Sequence, residues 1–132
     1  MNVVIQGAGR GIGLALAHEA KKSGATRLFL TARDPATTQG YAELPPGSTI
    51  TWLALDNLIP ETIELAGEQI RSQIHKLNRV ICCSGVLKDE VATPEKRLAD
   101  IDAKTLTYTF QVNATGPILL AKALLQTLRG DH

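Results

Sequence analysis

The chemistry in this sequence is concentrated in its first thirteen residues. Gln6-Gly7-Ala8-Gly9-Arg10-Gly11-Ile12-Gly13 follows a short β-branched run and leads into a stretch of good helix formers. Glycines at such a strand-to-helix turn let the backbone come close to a phosphate. The helix start beyond them offers unpaired N–H groups and a partial positive charge. The location therefore points to the diphosphate of a dinucleotide, with Gly7, Gly9, Gly11, Ile12 and Gly13 around it. The end of the next strand indicates which dinucleotide. Thr31-Ala32-Arg33 stands where an acidic side chain would accept a hydrogen bond from a plain ribose 2′-hydroxyl. The planar guanidinium of Arg33 can instead hydrogen-bond a 2′-phosphate twice and stack beside adenine. Arg10, inside the glycine turn, can reach the same phosphate, so NADP (NADPH) is the expected cofactor.

Other reactive side chains form no comparable pattern. His18, His75 and His132 are scattered without metal-ligand or nucleophile spacing, so no metal site is expected. Cys82 and Cys83 are adjacent, and neighbours on a strand point to opposite faces, so they cannot bridge each other and are expected as small buried hydrophobes.

The elements that must position the glycine turn are readable from periodicity. Asn2 to Gln6, Arg27 to Ala32, Thr49 to Leu55 and Arg79 to Cys83 are short apolar runs that predict strands buried on both faces. The segment after Gly13 predicts a helix ending at Gly24, with Ile12, Leu16 and Ala20 on its apolar face. Ile59, Ile63, Ala66, Ile70, Ile74 and Leu77 draw an apolar stripe down a second helix with Pro60 in its first turn. The stretch DPATTQGYAELPPG reads as an irregular connection, and from about Asp102 to near Arg129 the chain reads as helix interrupted by Gly116-Pro117. Strands alternating with helices imply an α/β domain with a parallel sheet and right-handed crossovers.

Composition excludes several function classes. The 132 residues suit one domain, and 44% hydrophobic residues with 4% aromatic ones fit an aliphatic α/β core. Fourteen basic residues against thirteen acidic ones leave a net charge of +1, so no whole-protein field favours nucleic acid or an anionic membrane surface. No apolar run reaches the ~18 residues of a membrane span and no signal-like segment opens the chain, so a cytoplasmic protein is expected.

The spacing Gly7-x-x-x-Gly11-Ile12-Gly13 resembles the TGxxxGIG fingerprint of the short-chain dehydrogenase/reductase family, with Gln6 in place of the threonine. Three later segments fit the same family in order. Asp56 follows the third strand, Cys82-Cys83-Ser84-Gly85 stands where the family has Asn-Asn-Ala-Gly, and Val112-Asn113-Ala114-Thr115-Gly116-Pro117 is similar to its VNxxGP segment. The stretch from Cys82 to Leu128 looks most like the C-factor-like subgroup. The resemblance implies a Rossmann-type doubly wound parallel sheet, amino-terminal half, with strand order 3-2-1-4. It implies that Asp56 contacts the adenine amine, that Ser84 and Gly85 lie beside the cofactor, and that Asn113 is the catalytic asparagine whose carbonyl holds a relay water. Spacing alone also allows Asp56 to be a helix N-terminal cap. Proline has no N–H, so in an α-helix Pro117 leaves the carbonyl of Asn113 without a donor.

The family's Tyr-x-x-x-Lys is absent. Tyr41 is followed four residues on by Pro45, and Tyr108 by Val112. Residues 1–132 are therefore expected to be one NADP-binding domain cut before the catalytic pair and inactive alone. The whole enzyme would exchange hydride between NADPH and a small carbonyl or alcohol. A non-catalytic NADP-binding or signalling module is the alternative. A fourth strand left as a sheet edge is an aggregation hazard, so a homo-oligomer is expected.

Overall fold

β-Branched residues dominate the first strand, β1 (Asn2–Gln6), and it lies inside a four-stranded parallel sheet. The computed structural model describes residues 1–130, and Asp131 and His132 lie outside the described residues. β1 is joined by β2 (Arg27–Ala32), β3 (Ile50–Ala54) and β4 (Arg79–Cys82) in the order β3-β2-β1-β4. Register is continuous across the first pair, with Val3 opposite Leu28 and Ile5 opposite Leu30. On the other side Val4 faces Val80. This is the Rossmann-type α/β arrangement implied by the glycine fingerprint.

Alternation along the strands sends side chains to two cores. Val4, Phe29 and Leu53 meet Ile63, Ala66 and Ile70 of α3 (Pro60–Arg71) and Leu120 of α5 (Gly116–Ala123). Val3, Ile5, Leu28 and Leu30 meet Leu14 and Ala17 of α1 (Gly11–Lys22) on the opposite face. Each fully buried Leu, Ile or Phe contributes about 1.5–3 kcal/mol of apolar transfer, so the central strands anchor the sheet.

Several elements differ from the sequence-based expectation. The buried face of α1 is Gly13, Leu14 and Ala17, while Ile12 is 76% exposed, because the glycine turn presses Gly13 against the sheet. α3 ends at Arg71, and Leu77 reaches the same core from the turn beyond it, its N–H donating to the Thr127 carbonyl at 2.9 Å. The supposed irregular connection holds a 3₁₀ turn, Pro35–Thr37, and a short helix, α2 (Gln39–Glu43), capped by Thr38 Oγ1 accepting from Tyr41 N. The last helical region breaks in two places rather than at Gly116-Pro117 alone. α4 (Ala103–Phe110) runs into a π-helical turn, Gln111–Thr115, before α5, and Leu124 separates α5 from α6 (Leu125–Arg129). Cys82, on the edge strand β4, is exposed rather than buried, whereas Cys83 packs against the α1-side core. Although Cys82 keeps surface open to solvent, the protein packed around its sulfur, helped by neighbouring Cys83, raises its thiol above the ordinary range, and burial does the same for Cys83, so neither is activated as a thiolate. No described helix is long and apolar enough to cross a membrane.

Candidate functional site

The glycine turn sits at the carboxyl end of β1, in the middle of the sheet, where parallel α/β sheets open their ligand crevice. Gly7 takes a φ of +80°, and a Cβ there would lie 2.8 Å from both the backbone nitrogen and Oγ of Ser84. At Gly13 a Cβ would lie 2.0 Å from the Gly7 carbonyl oxygen, so only glycine lets α1 start this close to the turn. The helix start has no side-chain cap and no acidic residue in its first turn. Its leading N–H groups therefore have neither an intrahelical acceptor nor a competing carboxylate. Gly11 is exposed, and a Cβ on it would meet nothing within 4 Å. An open, uncapped, positive helix terminus with that much clearance fits a diphosphate.

α2 buttresses the turn from the outside. Gly40 N donates to the Gly9 carbonyl at 2.8 Å, and Thr38 Cγ2 lies 2.8 Å from where a Gly9 Cβ would be. The same Gly9 position is 3.5 Å from Ala32 Cβ. Arg10 and Arg33 each leave the backbone one residue beyond that contact, so both guanidinium groups start from one edge of the crevice. Both are exposed, and neither makes an ion pair or a side-chain hydrogen bond among the described residues.

Asp56, at the carboxyl end beyond β3, is not the cap of α3. Its Oδ1 accepts from Leu58 N at 2.9 Å and closes a local turn, while the cap position belongs to Ile59, which has no side chain to serve it. Thr62 Oγ1 ties the same turn down by accepting from Asp56 N at 2.9 Å.

Ser84 and Gly85 connect the glycine turn to Asn113. Ser84 abuts Gly7, and Gly85 leaves 3.4 Å between its Cβ position and Asn113 Oδ1. Asn113 then pairs with the backbone of Val86 in both directions, Val86 N donating to Oδ1 and Nδ2 donating to Val86 O, each at 2.7 Å. Its amide is thus fully engaged in holding the loop after β4. Asn113 lies in the π-helical turn, where Gly116 N donates to Gln111 O, and Pro117, in the first turn of α5, has no N–H to offer a carbonyl. The neighbouring Val112 carbonyl accepts from Asn57 Nδ2 at 2.8 Å.

The sequence model described as short chain dehydrogenase matches residues 1–132. The chain belongs to the short-chain dehydrogenase family. It is 29% identical over 133 aligned positions to the short chain dehydrogenase gsfK of Penicillium aethiopicum, covering 98% of this chain and 51% of that protein. It is 30% identical over 134 positions to the short-chain dehydrogenase srdF of Neurospora crassa, covering 96% and 50%. The chain thus spans about half the length of these relatives. Among solved structures, a carbonyl reductase of Pseudomonas aeruginosa in complex with NADP superposes with a TM-score of 0.81 at 30% identity, covering 97% of this chain and 56% of that one.

Membership in the short-chain dehydrogenase family makes its departures informative. Gln6 replaces a threonine of the fingerprint, and the turn is held by bonds from other residues. Thr31 Oγ1 accepts from Gly7 N at 3.3 Å, and Gln6 Nε2 donates to Asn57 Oδ1 at 2.6 Å. Asn57 is the residue that sequence reasoning missed. Only 6% exposed, it joins the end of β1 to the π-helical turn, and Gly116 lies so near that a Cβ there would sit 2.2 Å from Asn57 Cγ. No spacing rule marks it, because its partners come from positions 51 and 55 residues away.

Proposed function

We propose that this short-chain dehydrogenase chain is the NADP-binding half of a reductase that moves hydride between NADPH and a small carbonyl or alcohol. The observation that carries the reading is the pair of unengaged guanidinium groups, Arg10 and Arg33, beside an uncapped helix start. The Pseudomonas aeruginosa carbonyl reductase that this chain resembles was solved with NADP, which supports the same cofactor.

In this reading the N–H groups of Gly11, Ile12 and Gly13 hold the diphosphate, with Gly7 and Gly9 giving the backbone room. Arg10 and Arg33 bind the 2′-phosphate by charge-assisted bonds, and Asp56 keeps an oxygen for the adenine amine. Ser84 and Gly85 flank the cofactor. Bound NADPH supplies the hydride. Asn113 supports the proton relay of the whole enzyme through its backbone carbonyl, while its side chain is committed to Val86. The chain has no Tyr-x-x-x-Lys to move the accompanying proton, so it binds the coenzyme without turning over substrate by itself. A cytoplasmic location and self-assembly belong to the same proposal.

Fluorescence titration with NADPH and NADH tests the reading. Charge-assisted hydrogen bonds contribute about 1.5–3 kcal/mol, so NADPH binds roughly ten- to a hundredfold more tightly, and Arg33→Asp narrows or inverts that ratio. Equal affinities for the two coenzymes in the unaltered chain remove the reading.

A further inference from the structure

Gln6 carries a polar atom that the proposed cofactor site leaves unexplained. The residue is fully buried at the carboxyl end of β1, and its Oε1 has no hydrogen-bond partner among the described residues. Buried side-chain oxygens without a partner are rare in native folds. The cause lies two contacts away. A backbone carbonyl can only accept, so Asn57 has to turn Nδ2 towards Val112 O, which it reaches at 2.8 Å. Its Oδ1 then faces Gln6 and can only accept, so Gln6 presents Nε2 to it at 2.6 Å. Gln6 Oε1 is the atom left over. Both amide orientations are therefore dictated by the Val112 carbonyl.

That carbonyl is the one released by the π-helical turn. In an α-helix Gly116 N would donate to Val112 O, but here it donates to Gln111 O. Asn57 Nδ2 stands in for the diverted N–H. Two further contacts bind Asn57 to the same turn. Gln111 Nε2 donates to the Asn57 backbone carbonyl at 3.3 Å, and only glycine at 116 leaves room, since a Cβ there would lie 2.4 Å from Asn57 Oδ1. An α register would return Gly116 N to Val112 O and strand the buried Asn57 amide. The register also decides where Asn113 points. Shifting a helix by one residue moves one flank by about 1.5 Å along the axis and about 100° around it. Such a shift would pull Asn113 off the N–H and carbonyl of Val86, which it holds at 2.7 Å each.

We propose that Asn57, oriented by Gln6, is a positioning residue that selects the π register of Gln111–Thr115, setting the Asn113 carbonyl for the proton relay and the Asn113 amide for the loop after β4. The relay role of Asn113 rests on the reading of this chain as the coenzyme half of a reductase, whereas the register of the turn does not.

Gln6→Leu/Asn57→Leu removes both amides together, so neither strands the other, and nearly keeps their shape. Nuclear magnetic resonance of the whole chain reads the turn without coenzyme. The paired variant is expected to lose the Overhauser contact between the Asn113 side-chain amide and Val86, and its Val86 N–H to exchange about tenfold faster. The buried Ile5 N–H of β1 is expected to exchange more slowly in the paired variant than in Asn57→Leu alone. A role confined to stability predicts that Val86 keeps its contact with Asn113 and its exchange rate, and that result overturns the proposal. Should the paired variant not fold, Gln6→Leu alone frees the far end of Asn57 and is expected to speed Val86 exchange about threefold. An unchanged Val86 rate there overturns the proposal equally. Titration with NADPH and NADH separates the register from the coenzyme reading. If the two bind the unaltered chain equally while Val86 responds as expected, the coenzyme reading fails and the positioning of the turn stands. If NADPH is preferred and Val86 does not respond, the positioning role alone fails.

Discussion

Replacing Asn57 with alanine is the perturbation whose cost is easiest to work out from contacts. The substitution deletes the acceptor of Gln6 Nε2 and the donor to the Val112 carbonyl, bonds of 2.6 and 2.8 Å. Gln6 is fully buried, and its Oε1 already lacks a partner, so the change leaves that whole amide unsatisfied. An orphaned buried polar group costs about 1–3 kcal/mol, and the half-buried Val112 carbonyl can recover part of its loss from water. The sum is roughly 2–4 kcal/mol, a large share of the ~5–15 kcal/mol that holds a domain together. Gln6→Leu is expected to cost less than about 1 kcal/mol. It strands Asn57 Oδ1, but it also removes the unpartnered Gln6 oxygen and fills the site with apolar atoms. The double variant should then cost less than the two single costs added, by about 0.5–3 kcal/mol, because the residues share one network. Urea unfolding reads all three, and with a slope of about 1–3 kcal/mol per molar, Asn57→Ala moves the midpoint down by roughly 0.7–4 M. An Asn57→Ala cost under about 1 kcal/mol, or one no larger than that of Gln6→Leu, would refute this account of how β1 is coupled to the π-helical turn.

Further outcomes follow from the same contacts. Gly13→Ala places a Cβ 2.0 Å from a backbone oxygen, so calorimetry should show a loss above about 2 kcal/mol and titration a loss of coenzyme binding beyond about tenfold. Gly47→Ala meets nothing within 4 Å and serves as a control expected within about 0.5 kcal/mol of the unaltered chain. Acid should destabilise the fold through three carboxylates. Glu43 is lowered by Gln39 and His18, Asp89 by Tyr108, and Asp102 by the Thr105 amide it caps. A depressed folded-state value means that the stabilisation is complete above the unfolded-state value and fades as pH falls through the folded one. Unfolding followed from pH 6 to 2 should therefore lose stability mainly below roughly pH 4, and Asp102→Asn should flatten that loss. A stability that rose on acidification would contradict the assignment.

Much of the framework was legible because it depends on local signals. A β-branched run ending in glycine announced β1, a short apolar run announced β2, and the glycine spacing placed the phosphate turn between β1 and α1. The apolar stripe through Ile63, Ala66 and Ile70 located α3 against the sheet. What periodicity missed was set by contacts across the fold. α1 buries Gly13 and leaves Ile12 exposed, since the close approach of turn and helix needs a small residue where a hydrophobic stripe would look for a large one. α2 was hidden by Gly40, a poor helix former needed here because a Cβ would lie 2.5 Å from the Ala8 carbonyl oxygen. The π-helical turn at Gln111–Thr115 keeps nearly α-helical dihedrals at its flanks, so no local propensity marks it. Cys82 was expected to be buried because β4 reads as an interior strand, but no described strand pairs on its far side. Within the site, the residues of the glycine turn, Arg33, Ser84, Gly85 and Asn113 were all legible as candidates and do gather at the carboxyl ends of the strands. Asn57, which binds two of those stations together, was legible only in three dimensions.

The central claim is that the start of α1 grips a dinucleotide whose phosphorylated ribose lies between Arg10 and Arg33. Crystals of the chain grown with NADPH test it directly. The expected density places the diphosphate against the N–H groups of Gly11, Ile12 and Gly13 and the 2′-phosphate on the two guanidinium groups. Coenzyme bound away from this crevice, or a crevice without coenzyme at saturating concentration, would contradict it.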